Sequence, residues 1–519
     1  MYKRVFIWLN FCLFVIINII IQLRKMHFKE GIIILSVIFS YEFLVIALYV
    51  INFLVILNMI FRERRSIESS VAWILILTIV PPAGFVLYIV FGRKMNKVNM
   101  FKLKKEEDKK LKSRMIESAD FLQYSEKFEP SIVEHRDMIY SLATLNSAPY
   151  TTNNKVSIYT DGYEFFDELK AQLKKAKKYI HIEFYIFKDD GIGNEILDIL
   201  IEKLSEGVEV RLLYDTVGSR LLSEKGIQRL RKAGGKIGAF FPSFLKIINF
   251  NLNFRNHRKI VVIDGEVGFV GGFNVGDEYL GKDPKFGYWR DTHTKIVGSA
   301  VNDLNLRFMM DWRYTTHEDI SFTKYLNDDI NPYNGNVGIQ IVNSGPDLSE
   351  IDEIKYGYLK MIQKAKKYLY IQSPYLILNS SLLDALKIAC LSGVDVRIMI
   401  PSKPDHPFVY WASYSYAGEL LKFGAKIYTY DKNAFLHSKT VVIDDSICSI
   451  GTANMDIRSF ELNFEVNAFM YCSDVAIKQK EIFEADIEKC VQVTQEMYDN
   501  RSRVIQFKES ISRLLSPVL

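Results

Sequence analysis

Two stretches of this chain nearly repeat each other, and they limit what it can fold into more than any other feature. The first runs His257-Arg258-Lys259-Ile260-Val261-Val262-Ile263-Asp264-Gly265, the second His437-Ser438-Lys439-Thr440-Val441-Val442-Ile443-Asp444-Asp445. Each is followed at the same distance by a turn of small residues and an asparagine: Gly271-Gly272-Phe273-Asn274 and Gly451-Thr452-Ala453-Asn454. At average residue frequencies one H-x-K-x-x-x-x-D falls by accident in roughly a few per cent of chains this long. Two copies with matching turns are a duplication.

The duplication extends upstream. Lys175-Ala176-Lys177-Lys178-Tyr179 returns as Lys364-Ala365-Lys366-Lys367-Tyr368, Gly207-Val208-Glu209-Val210-Arg211 as Gly393-Val394-Asp395-Val396-Arg397, and Gly234-Gly235-Lys236-Ile237 as Gly424-Ala425-Lys426-Ile427. Short apolar runs alternating with helical patterns are β-α-β logic and predict a parallel or mixed sheet flanked by helices. Repeats this long are fused domains rather than a solenoid. The fold class expected is α/β, with one domain over 151–330 and a second over 331–519, related by a pseudo-twofold axis. The join falls in Asn327–Gly335, rich in Asn, Asp and Pro.

The repeated stretch reads as a buried β-branched strand closing on an acid and a turn. Side chains alternate faces, so His257 shares a face with Lys259 and His437 with Lys439, while Asp264 and Asp444 point to the other face or into the turn. Two such copies facing one another would set two imidazoles and two ammonium groups around one pocket. That suits a phosphodiester: one ring attacks phosphorus and the other protonates the leaving oxygen. The lysines, with Asn274 and Asn454, would hold the non-bridging oxygens. Near-symmetry leaves open which ring attacks. A lone histidine is more often a satisfied core or surface group, and His27, His135, His181, His317 and His406 are read so, His293 less clearly.

Apolar weight is concentrated in the first ninety residues, although 49% of the whole chain is hydrophobic. Val5–Leu23 is a near-continuous apolar run between Lys3-Arg4 and Arg24-Lys25, long enough to cross a ~30 Å hydrocarbon core at ~1.5 Å per residue. No small-residue cleavage pattern follows it. Ile32–Phe61 is interrupted by Glu42, and a charge at the centre of a span costs roughly 2.5–3.5 kcal/mol, so the span is placed at about Phe43–Phe61. Val71–Phe91 carries Pro81-Pro82 in its middle, which should kink or break a helix or turn it into a re-entrant hairpin. Residues 1–92 are therefore expected to be a membrane anchor of two or three apolar segments. Residues 93–150 follow as a basic helical connector, with nine Lys and Arg between Arg93 and Lys112. That density predicts a cytoplasmic location for everything after residue 93.

The net charge of +5 does not demand nucleic acid, and an anionic membrane surface suits it equally. The five cysteines form no ligand spacing and read as free thiols. No cluster of Cys, His, Asp and Glu has metal spacing, so neither a metal nor another cofactor is expected.

Through these residues the chain resembles the phospholipase D superfamily and its paired HKD motifs. It is most similar to the bacterial cardiolipin synthase branch, through Pro81, Gly84, Tyr88 and Gly92, Tyr288-Trp289-Arg290-Asp291, Ser344-Gly345-Pro346, Asn454-x-Asp456-x-Arg458-Ser459, Leu462-Asn463-Phe464-Glu465 and the ending Ser516-Pro517-Val518-Leu519. The similarity covers nearly the whole chain. It departs at Thr452, where glycine or serine is usual, and a threonine hydroxyl still hydrogen-bonds. The resemblance implies catalytic roles for His257, Lys259, Asp264, His437, Lys439 and Asp444, although the motif aspartates read physically as turn anchors. It also implies an acid downstream of each motif, Asp291 and Glu465, to hold the second imidazole nitrogen, and it favours His257 as nucleophile and His437 as acid.

The reaction so implied is reversible phosphatidyl transfer between two phosphatidylglycerol molecules through a phosphatidyl-histidine, giving cardiolipin and glycerol at the bacterial inner membrane. The alternative is a membrane-anchored hydrolase, or a transphosphatidylase using another lipid alcohol. A nuclease would lack the apolar segments and carry a broad basic groove. The aromatic stretch Tyr410–Tyr416 reads as core for at least half its length, with the remainder suited to a membrane interface.

Overall fold

The structure is a computed structural model that describes residues 41–61, 63, 67–92, 133–146, 148–242, 253–326, 335–346 and 352–516. The apolar run Val5–Leu23, the basic stretch Arg93–Lys112 and most of the join Asn327–Gly335 lie outside the described residues. The chain divides into two compact units, Met1–Gly92 and Arg93–Leu519.

In the first unit a helix spans Tyr41–Phe61 and a second spans Ile67–Ile79. The double proline ends the second helix, and Pro81–Leu87 restarts it with proline in the first turn, where no N–H is needed. The break leaves carbonyls without partners. Asn52, buried on the neighbouring helix, donates its amide to Leu77 O at 3.0 Å and to Pro81 O at 3.1 Å. Among the fully described residues no helix is long and apolar enough to cross a membrane.

The second unit is built on one mixed sheet of 15 strands. From one edge the first copy contributes Lys236–Phe240, Glu209–Asp215, Tyr179–Phe184, Lys259–Ile263, Val267–Gly271, His293–Val297 and Thr151–Tyr159. The second copy continues with Val337–Ser344, Glu465–Tyr471, Ile447–Gly451, Thr440–Ile443, Tyr368–Gln372, Asp395–Ile400, Lys426–Thr429 and a short last strand, Val491–Val493. The order of one half mirrors the other about the antiparallel pair Thr151–Tyr159 and Val337–Ser344. This is the mixed α/β architecture with a pseudo-twofold that the repeats predict.

Sequence dictates the local pieces. Helices start on oxygen caps such as Asp161, Ser223, Asn379 and Ser502. The repeated Gly207 and Gly393 take φ of +89° and +86° where a helix turns back into a parallel strand. One apolar core is common to both halves: Leu213, Phe308 and Trp312 pack in it with Ile339, Tyr370, Phe464 and Val466.

Candidate active site

The two motif histidines stand just before their strands, in segments tied to the opposite half. His257 N–H donates to Phe464 O at 2.9 Å, and His437 N–H donates to Arg290 O at 2.7 Å. Ala434–Leu436 pairs in parallel with Tyr288–Arg290, and Asn256 bridges Phe464. Each pairing delivers a carboxylate to a ring. Glu465 meets His257 Nδ1 with both oxygens, at 3.0 and 2.9 Å. Asp291 meets His437 Nδ1 at 2.6 Å. Reading the chain alone assigns one acid to each half; the structure crosses them, so every ring is backed by the other half's acid.

Register explains the exchange. Gly271 lies opposite His293 and Gly451 opposite Asn467, which makes Asp291 and Glu465 equivalent positions two residues earlier. A Cβ on Gly272 would stand 1.9 Å from Asp291 Oδ1, so this turn position must be glycine. Its counterpart is Thr452, the departure noted in the sequence. There the hydroxyl accepts from Val466 N at 2.9 Å and donates to Val466 O at 3.2 Å.

The lysines are buried beneath the rings. Lys259 Nζ donates to His257 O at 2.7 Å and Lys439 Nζ to His437 O. Burial pushes Lys259 down to about 7 and Lys439 to about 8, although the Glu465 and Asp291 charges oppose it. Burial also lowers His257 to about 4 against the pull of Glu465, and lowers His437 against the pull of Asp291. Burial pushes both carboxyls up, but the imidazole and lysine beside each outweigh it and hold Asp291 and Glu465 below their ordinary range. The charge of Lys439 acts on His257 and that of Lys259 on His437, so the halves form one electrostatic site.

Such a site holds two neutral imidazoles whose Nδ1–H is fixed on a carboxylate. The other nitrogen, Nε2, has no hydrogen-bond partner among the described residues. Tyr185 lies edge-on to His257 with centroids 5.0 Å apart, and Trp289 lies 5.2 Å from His437. Over buried cations that neutralise an anionic phosphodiester, a neutral imidazole can attack phosphorus, and a ring that takes up a second proton on Nε2 can protonate the leaving oxygen.

The motif aspartates are not brought to this group. Asp264 sits past the far end of its strand at φ 55° and accepts from the backbone N–H of Lys177, Lys178 and Tyr179 at 2.7, 2.7 and 2.8 Å. Asp444, at φ 49°, does the same for Lys366, Lys367 and Tyr368. They pin the strand ends, the physical role that the alternation of faces predicts. Asn274 is engaged by the protein: its Oδ1 accepts from Ile186 N at 3.1 Å and its Nδ2 donates to Tyr279 OH at 2.9 Å, which leaves one amide hydrogen. Asn454 differs, with a buried Oδ1 that has no partner among the described residues. His293 is core, its ring tilted 30° to that of Phe165 with centroids 4.2 Å apart. Among the described residues no group of three His, Cys, Asp or Glu is arranged to hold a metal ion.

Sequence reasoning passed over the braces behind the rings. Fully buried Arg258, between His257 and Lys259, forks onto Asp311 with two bonds of 2.8 Å and donates to Glu465 O at 3.2 Å. On the other side Arg290, just before Asp291, pairs with Asp486 at 2.7 Å. The basic residue beside each motif was the available signal, but its acid lies on a distant helix.

The family described as "Cardiolipin synthase, PLD-like domain" matches residues 169–284 and 358–487, and "Phospholipase_D-nuclease N-terminal" matches 47–93. The cardiolipin synthase of Oceanobacillus iheyensis is 50% identical over 477 residues, 91% of this chain and 98% of that protein. The major cardiolipin synthase of Bacillus subtilis is 49% identical over 475 residues, with the same coverage of 91% and 98%. This chain belongs to the cardiolipin synthases. Members of this family are associated with membranes. A cardiolipin synthase of Staphylococcus aureus is 51% identical over 503 residues, 96% of this chain and all of that protein. Among solved structures, the phosphatidylserine synthase of Haemophilus influenzae aligns with a TM-score of 0.56 at 15% identity, covering 74% of this chain and 100% of its own, a likeness of fold.

Proposed function

We propose that this chain joins two phosphatidylglycerol molecules into cardiolipin and releases glycerol. His257 Nε2 attacks phosphorus of the first lipid, and the bond from phosphorus to the glycerol headgroup breaks. Once the anionic phosphodiester is bound, His437 takes up a second proton on Nε2 as an imidazolium held by Asp291, and gives it to the departing glycerol oxygen. The terminal hydroxyl of the second phosphatidylglycerol then passes its proton to His437 and attacks phosphorus, and the P–N bond to His257 breaks. Lys259 and Lys439 neutralise the non-bridging oxygens through both steps. The observation that carries this reading is the crossed pairing of each imidazole with the other half's carboxylate, which unites both rings and both lysines in one site. Each step is the reverse of the other, so added glycerol drives the reaction back.

The unit Met1–Gly92 serves as anchor in the bacterial cell membrane, with 151–330 and 331–519 as the paired catalytic halves on the cytoplasmic side. The reading is supported by apolar side chains such as Leu54, Phe61, Ile67 and Ile79 exposed on its helices, a surface suited to lipid. Purified enzyme in vesicles of labelled phosphatidylglycerol tests the whole proposal. Cardiolipin and glycerol are expected in equal amounts, and phosphatidic acid as sole product would make the enzyme a hydrolase.

A further inference from the structure

The C-terminal helix Arg503–Leu515 turns its polar face inward and its apolar face outward. Glu509 and Ser512 are buried beneath it, and Glu509 accepts from Tyr498 OH at 3.0 Å and from Arg501 Nε at 2.7 Å. Outside, Val504, Phe507, Ile511 and Leu514 are 62, 67, 38 and 63% exposed. At ~100° per residue these four fall in a stripe about 80° wide. A helix that only completes a globular core has the opposite arrangement.

Charge identifies what covers the stripe. Glu509 is the helix's sole acid and faces inward, whereas Arg503 and Lys508 are exposed and make no ion pair among the described residues. Lys508 Nζ lies 5.2 Å over the ring of Trp411 on the adjacent helix Pro407–Leu421. Trp411 packs on Tyr410 at 5.0 Å, and Phe408, one turn earlier, is half exposed. Apolar, aromatic and cationic groups mixed in one surface are what the headgroup region of an anionic bilayer accepts. Two copies meeting through this face would oppose like charges. The start of the adjacent helix also lies within electrostatic reach of the site: Asp405, two residues before it, accepts from Tyr375 OH, and its charge acts on Lys439.

We propose that Val504, Phe507, Ile511 and Leu514, with Lys508 and Trp411, form a second membrane contact. It lies in the boundary between headgroups and acyl chains of an anionic bilayer and presents the site to lipid. The proposal rests on phosphatidyl transfer only for its purpose, since its first test needs no turnover.

Phe507→Trp in the full chain, reconstituted in phosphatidylglycerol vesicles with brominated acyl chains, should lose about half or more of the added emission, as expected for a side chain at that boundary. Zwitterionic vesicles should quench it less. Emission indifferent to bromine in both would overturn the proposal. Replacing Val504, Phe507, Ile511 and Leu514 with Ser touches only exposed positions. It should raise the KM for phosphatidylglycerol, as mole fraction in mixed micelles, about threefold or more at unchanged kcat. An unchanged KM would count against the contact. A detergent-solubilised dimer that becomes monomer in this variant would assign the stripe to a second copy and overturn the lipid reading. Bromine quenching without cardiolipin synthesis would leave the contact standing and remove the transfer reaction.

Discussion

His257 faces a glutamate that meets its Nδ1 with both oxygens, whereas His437 faces an aspartate that meets it with one, at 2.6 Å. Glu465 also takes a bond from Asn463 at 3.1 Å, and Asp291 takes one from Thr292 N at 2.8 Å. Behind His257 stand Glu183, whose carboxyl burial pushes up, and Asn256, which donates to it. The place of Glu183 is taken in the second half by the neutral Gln372, which accepts from Ser438 and Thr440 at 3.1 Å each. One plan therefore gives two unlike rings. Burial lowers His257 to about 4 against the pull of Glu465, and it lowers His437 as well, helped by the Lys439 charge. In the proposed reaction the first ring attacks and the second delivers a proton to the leaving group. Duplication supplied the geometry, and divergence of neighbours made the rings unlike.

The sharpest way to break that comparison is to find which ring carries phosphorus. Alanine at either His257 or His437 should lower turnover about 10⁴-fold or more. After acid quenching of wild-type enzyme on labelled phosphatidylglycerol, label should map to the peptide holding His257; label at His437 would exchange the roles. Next come the acids. Asp291→Asn and Glu465→Gln should each cost about 10²- to 10⁴-fold. Both rings act in both steps, so each variant should slow formation of the labelled intermediate and its discharge to the second lipid alike. A variant that slowed one step alone would show that the two steps are not the reverse of each other.

The braces offer a test by stability. Arg290→Met leaves Asp486 buried with, among the described residues, only the Gln372 amide at 2.8 Å and should cost about 3–5 kcal/mol in chemical denaturation. Arg258→Met leaves Asp311 still paired with Arg307 at 2.7 Å and should cost less, about 1–3 kcal/mol. The smallest effect is in pH. The lysines act as cations, and in the empty site they lose their protons as pH rises through about 7 for Lys259 and about 8 for Lys439. A bound phosphodiester raises both by its own charge. kcat/KM should therefore fall on the alkaline side, by about tenfold per pH unit for one essential proton, while kcat stays level further up. An alkaline limb equally steep in kcat would show that the lysines do not titrate against substrate.

Much of this molecule is written in local pattern. The β-α-β repeats, the mirrored halves and the shared face of His and Lys follow from period-two alternation, and the structure has them. Turn anchoring by Asp264 and Asp444 was legible for the same reason. The crossing of Asp291 and Glu465 was not, because spacing along a chain does not record which half a ring turns toward. Nor was the engagement of Asn274 by Ile186 and Tyr279, since an amide's partners are set in three dimensions. Thr452 reads as a departure until its opposite number, Gly272, is seen to press against Asp291.

The exchanged carboxylates make the halves mutually dependent. Fragments 1–330 and 331–519, made apart, would each own an imidazole without its acid and an acid without its imidazole. Neither piece is a primitive enzyme awaiting improvement. An ancestor of one repeat would have had to work as a symmetric pair, lending its acid to its twin, and only after fusion could the two borrowed acids become different.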